Sequence, residues 1–191
     1  MPADSAYGQK LALVRDPKTP RNVSLPLLRH LFLEDLVGVA QAPHLAGDLR
    51  RVAEDAVLAR IPGLQLGERV SLARKSGGRT AGTLLLDREL RVVEAALGNA
   101  RLTAELIVKA LQYETISADA VEAIARHERW SLDYNVRLAL LRQPLTSLAR
   151  VLALAPQVKR RDLLEISGDP RMPSARRSYL VKLAQSPRLR I

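Results

Sequence analysis

The sequence predicts an all-α fold, a right-handed α-solenoid of short helical pairs, and three observations carry that expectation. Its apolar residues are aliphatic, its helix breaks recur at short intervals, and one kind of helix start returns along the chain. Of 191 residues, 47% are apolar but only 3% aromatic, so the core has to be built from Leu, Val, Ala and Ile. Leu and Ala favour helices, whereas strand-rich domains lean on β-branched and aromatic residues. The length suffices to bury a core in one domain or one continuous array.

The returning start is an Arg followed by an apolar residue that opens an amphipathic run. It reads Arg51-Val52-Ala53, Arg69-Val70-Ser71-Leu72-Ala73, Arg91-Val92-Val93-Glu94-Ala95 and Arg137-Leu138-Ala139-Leu140. Asp87 stands four residues before Arg91, and Asp133 four before Arg137. On a helix that spacing puts acid and base on one face, and an Asp in the first turn can also cap. Such a pair adds only about 0.2–0.5 kcal/mol, so its value here is as a repeat marker.

After each such helix the chain breaks and a second helix begins. Ser76-Gly77-Gly78-Arg79-Thr80 leads into 81–86, Gly98-Asn99-Ala100-Arg101-Leu102-Thr103 into 104–111, and Gln143-Pro144-Leu145-Thr146 into 147–154. Gly or Asn is expected to end one helix in the left-handed conformation, and Ser or Thr to cap the next. Near both ends the joint carries proline: Asp16-Pro17-Lys18-Thr19-Pro20 before 21–31, and Asp169-Pro170-Arg171-Met172-Pro173 before 174–184. Proline suits the first helical position because no hydrogen bond is lost there. Pro26 interrupts its own run and predicts a kink or a later start. Ile61-Pro62-Gly63 follows a long helix over about 49–60 and reads as a turn between repeats rather than a domain boundary.

These joints and the Asp-x-x-x-Arg-Val/Leu helices at 87–92 and 133–138 resemble HEAT-like repeats and, more narrowly, the leucine-rich-repeat variant proteins of bacteria. The resemblance covers roughly residues 11–185 and implies the fold and a scaffold role, while the joints themselves predict about five to seven degenerate units. The founding variant-repeat protein carries an iron–sulfur cluster; a chain with no cysteine does not, so that property does not transfer. The expected organisation is an N-terminal tail (1–8), a single HEAT-like solenoid domain (9–186) and a basic C-terminal tail (187–191).

The lack of cysteine also excludes disulfides, thiol nucleophiles and Cys-ligated zinc, and fits a reducing compartment. No apolar stretch reaches the roughly 18 residues of a membrane span, and residues 1–10 carry no apolar secretory core. A soluble cytoplasmic protein is expected. His30, His44 and His127 stand far apart, without metal-ligand spacing. Ser76-Gly77-Gly78-Arg79-Thr80 lacks the Gly-Lys-Ser/Thr ending of a phosphate loop and matches the turn at Gly98. No cofactor and no metal are predicted.

The net charge of +10 is unevenly placed. Residues 1–119 hold 16 basic and 14 acidic side chains; residues 120–191 hold 14 and 6. A basic end of this kind points either to a polyanion or to a solvated surface. Candidate ligand contacts are Arg126, Arg129, Trp130, Arg137, Lys159, Arg160, Arg161, Arg176, Arg177 and Lys182, with Arg171, Arg188 and Arg190 adding to the excess. The cluster His127-Glu128-Arg129-Trp130-Ser131-Leu132-Asp133-Tyr134 contains the single Trp. HEAT-like alkylpurine DNA glycosylases use aromatic residues and a carboxylate on a basic face, which gives Asp133 and Trp130 a remote enzymatic reading. The bland one is a packed indole whose N–H meets a turn carbonyl, beside an Asp that caps. Likewise Arg51, Arg69, Arg91 and Arg137 form either a stripe for acidic peptides or phosphates, or ties between turns. The sequence therefore predicts a non-catalytic scaffold with a protein or peptide partner on its concave surface. Nucleic-acid or polyanion binding through the basic C-terminal repeats is the alternative.

Overall fold

A computed structural model describes residues 2–170 and 172–186, the side chains of 2–5 excepted. Arg171, Arg188, Arg190 and the expected tail 187–191 lie outside the described residues. Thirteen helices and no strand are found among the described residues. They are α1 (Pro2–Arg15), α2 (Arg21–Leu27), α3 (Leu33–Gln41), α4 (Gly47–Arg60), α5 (Leu66–Lys75) and α6 (Gly78–Leu84). Then follow α7 (Leu90–Leu97), α8 (Ala104–Leu111), α9 (Ala118–Arg126) and α10 (Tyr134–Arg142). The last three are α11 (Leu148–Leu154), α12 (Arg160–Ser167) and α13 (Ser174–Gln185). Residues 2–8, expected as a tail, are the first half of α1.

Several helix starts are written locally. Thr103, Ser117 and Ser147 accept the N–H groups of Leu106, Ala120 and Arg150, and Glu68 of α5 reaches back to the Gln65 N–H at 2.7 Å. These bonds satisfy donors that a helix leaves free in its first turn. The start of α6 departs from expectation. It begins at Gly78, and Thr80 is buried inside it with its hydroxyl on Glu54 rather than capping. Pro26 sits in the last turn of α2, which tightens into a 3₁₀ turn at Leu28–His30.

The ends also differ from expectation. No residue among those described has a positive φ; Gly98 lies at −80° and Gly168 at −74°. The left-handed glycine stop is therefore replaced by other partners for the terminal carbonyls. Asn99 donates its amide to the carbonyls of Ala73 and Ser76, and Gln143 donates to that of Leu111.

Consecutive helices pair, α1 with α2, α3 with α4 and α12 with α13, and alternate helices touch as well. Thus α1 meets α3, α5 meets α7 and α7 meets α9, while α2 meets α4, α4 meets α6 and α6 meets α8. One aliphatic core runs from Val14 to Ala184, with Trp130 as its aromatic member. Burying each Leu or Ile fully is worth about 1.5–3 kcal/mol.

The clearest internal repeat is not the Arg-led start. Segments 7–58 and 134–185 align without a gap at an offset of 127 positions, set by Tyr7 and Tyr134. Both read Leu-Ala-Leu at 11–13 and 138–140, Arg-x-Pro-x-Thr at 15–19 and 142–146, and Asp-Leu at 35–36 and 162–163. The helices follow the same offset. α2, its 3₁₀ turn, α3 and α4 start where α11, the 3₁₀ turn at Ala155–Gln157, α12 and α13 start. Each Tyr hydroxyl donates to an Asp 28 residues on, Asp35 or Asp162, at 2.5 Å. Each also accepts the backbone N–H 25 residues on, from Phe32 at 3.0 Å or Lys159 at 3.2 Å. Buried Leu36, Val39, Ala53 and Val57 correspond to buried Leu163, Ile166, Leu180 and Ala184. Two positions buried in both segments differ in polarity: Ser24 corresponds to Val151, and Leu49 to Arg176.

Close approach fixes α6 on α8. A Cβ at Gly78 would stand 2.3 Å from the Arg101 carbonyl oxygen, and one at Gly82 would stand 3.2 Å from Leu106 Cβ. Gly67 in α5 has open space around it. In urea melts, Gly78→Ala is expected to lose about 1–3 kcal/mol, whereas Gly67→Ala is expected to gain up to about 1 kcal/mol from helix propensity.

Candidate functional site

The ten candidate residues fall into separate groups. Lys159, Arg160 and Arg161 are exposed at the start of α12, where Lys159 Nζ sits 5.7 Å from the Tyr134 ring centre. Arg161 Nε lies 3.5 Å from its neighbour Asp162. Arg126 is exposed on α9 and pairs with Glu122 at 2.8 Å. Arg129 stacks 4.1 Å above the Trp130 ring, and Lys182 is exposed in the last turn of α13.

Three arginines of the ten point inward to backbone carbonyls. Arg137 donates to Ser131, Leu132 and Gln157, and Arg177 to Asp169, Pro170 and Met172. Arg176, only 8% exposed, donates to Gln143, Pro144 and Thr146. Burial alone pulls the Arg176 pKa down. Arg69 does the same job on α5, bonding the Leu64 carbonyl at 3.0 Å. Arg69, Arg137 and Arg177 are each the fourth residue of their helix and reach the carbonyl five residues back. The expected Asp–Arg pairs within one helix do not form. Asp87 pairs with Arg69 at 2.9 Å, and Asp133 takes the Asn135 and Val136 N–H groups. An Asp at a helix start lies nearest those free donors, so capping wins over the pair four residues on.

Trp130 is buried and donates its indole N–H to the Leu97 carbonyl at the end of α7, 2.9 Å away. The His127 ring centre stands 6.2 Å from that of Trp130, and burial lowers the His127 pKa. Asp133 and Trp130, which carried the glycosylase-like reading, thus hold a helix start and a helix end. Glu122 gathers Arg126, Arg150 and Ser147. Burial pushes its pKa up, but the two guanidinium groups outweigh that and hold the carboxyl below its ordinary value. In the Tyr134–Asp162 bond, burial and then the carboxylate raise the Tyr pKa, while the donated hydroxyl lowers that of Asp162.

A groove of about 510 Å³ opens between α5 and α7, lined by Val70, Arg74, Arg91, Glu94, Ala95 and Gly98. Arg91 is one of the repeated arginines; Arg74 lies four residues after Val70, on the same face of α5. Sequence reasoning overlooked Arg74, although helical spacing from Val70 was a signal for it. It also overlooked the two Tyr–Asp bonds, whose repeated sequence context was the available sign.

The fold and these contacts define a class: an all-helical protein of short helices packed in sequential pairs, with side chains tying the joints. No protein-family model matches the chain, and no curated protein or solved structure is significantly similar to it.

Replacing Arg176 by Ala leaves three inward carbonyls without their donor and is expected to cost about 2–4 kcal/mol in denaturant unfolding. Glu122 yields a pH test. Its depressed pKa adds stability that is complete above the ordinary value of 4.5 and is lost as pH falls through the folded value. Glu122→Gln should therefore lower the melting temperature at neutral pH, and the gap from wild type should close on acidification below about 4.5.

Proposed function

We propose that the chain is a HEAT-like, right-handed α-solenoid that works as a non-catalytic cytoplasmic scaffold, holding a partner protein or peptide on its concave surface. The observation that carries the reading is the contact between alternate helices in both series, α1–α3, α5–α7 and α7–α9 beside α2–α4, α4–α6 and α6–α8. Stacked units of this kind present an extended surface to a partner. The matching segments 7–58 and 134–185 support the same view, since a repeat architecture lengthens by copying units. The roles of Trp130 and Asp133 at helix ends weigh against the glycosylase-like alternative.

Polyanion binding is the second reading, supported by Lys159, Arg160 and Arg161 side by side at the exposed start of α12. Against it, the guanidinium groups of Arg137, Arg176 and Arg177 are taken up by carbonyls. Affinity capture from a nuclease-treated lysate should retain a stoichiometric protein partner, and recovering none would defeat the scaffold reading. Fluorescence anisotropy with labelled duplex and single-stranded DNA at about 50 mM salt tests the second reading, because phosphate contacts are strongest at low salt.

A further inference from the structure

We infer that the α5–α7 groove is the seat of an extended acidic peptide segment, whose carboxylate is held between Arg74 and Arg91. The inference rests on the scaffold reading and names the chemistry of the partner. Arg74 and Arg91 come from different helices, line one groove and are exposed, and their guanidinium groups make no ion pair or hydrogen bond among the described residues. Neighbouring arginines differ: Arg69 is paired with Asp87 and Arg79 with Asp55. Two guanidinium groups across one groove repel each other, and a carboxylate between them relieves the repulsion with charge-assisted bonds.

Size and shape favour a short stretch of chain. From Arg91 to Gly98 the wall on α7 runs about 10 Å, room for about three residues of extended peptide. Val70 and Ala95 supply apolar surface in the groove, suited to a small aliphatic side chain beside the acidic residue. Glu94 adds a hydrogen-bond acceptor to the groove. Its carboxylate lines the groove without a partner among the described residues, so it can accept a peptide N–H. The evenly spaced phosphates of a nucleic acid have no N–H to give that acceptor and no use for the apolar surface of Val70 and Ala95. Two cations for a carboxylate, an acceptor for a backbone N–H and an apolar strip together fit an acidic peptide better than a nucleic acid.

The test uses the full chain and a fluorescein-labelled nonapeptide alternating Glu with Leu and Ser, its Gln-for-Glu counterpart, and a labelled single-stranded DNA. At about 50 mM salt the acidic peptide should bind, and the Gln peptide should bind about tenfold more weakly. Arg74→Gln/Arg91→Gln should lose about tenfold in affinity for the acidic peptide. Lys18→Gln/Lys109→Gln removes the same charge from exposed positions elsewhere and should stay within about twofold. Equal losses in the two double variants would reduce the effect to net charge and overturn the inference. So would absence of peptide binding, or DNA binding that depends more strongly on Arg74 and Arg91 than peptide binding does. A protein partner captured equally by wild type and by Arg74→Gln/Arg91→Gln sinks the groove but leaves the scaffold standing. Capture of none by wild type sinks the scaffold itself.

Discussion

Short helices have many ends, and every end leaves backbone carbonyls without an internal partner. That requirement governs this molecule. With no left-handed residue among those described, the carbonyls cannot be closed by a glycine stop. Local backbone N–H groups close some of them, as at α9 and α12, and distant side chains close others. Asn99 serves the end of α5, Trp130 the end of α7, Gln143 the end of α8 and Arg176 the joint after α10. The donors lie 23 to 33 residues beyond their acceptors, about the length of one helical pair. In this middle stretch a later unit thus completes the backbone of an earlier one, and apolar burial holds together units whose ends are satisfied.

Much of the helical content was legible because it is written locally. The caps at Thr103 and Ser147 and the aliphatic periodicity announce α8 and α11 without tertiary help. The indole of Trp130 and the cap at Asp133 were legible for the same reason: buried indoles seek a carbonyl and N-terminal carboxylates seek free N–H groups. The ends were not legible. Gly98 and Gly168 look like left-handed stops by composition, but their role was decided by donors about one unit away. The longer repeat was hidden because Arg-led starts draw the eye to positions 51, 69, 91 and 137. The structure instead matches position 7 with position 134.

The same division sorts the basic residues. A cation count treats every arginine as available charge, yet Arg60, Arg137, Arg176 and Arg177 face carbonyls, and Arg69, Arg79 and Arg150 are paired with acids. Guanidinium groups suit this work because several donors on one rigid plane can serve two or three carbonyls at once. Part of the C-terminal excess of charge is therefore structural, while Arg74 and Arg91 lie in the half of the chain whose net charge looks unremarkable. For candidate sites, a free guanidinium in a groove tells more than regional charge.

The one position where an aliphatic side chain buried in one copy meets a buried charge in the other, Leu49 against Arg176, bears on how the chain finds its own register. Two segments with the same Tyr–Asp bond, the same turns and the same aliphatic positions offer each other plausible wrong partners during folding. Either copy of the first helix could be received by the other copy's mate, within one molecule or between two. A buried guanidinium requires a ring of carbonyls around it, whereas a buried leucine requires apolar neighbours and tolerates no stranded charge. The substitution gives the two sockets different tenants, and exchange between them would bury a charge without its acceptors.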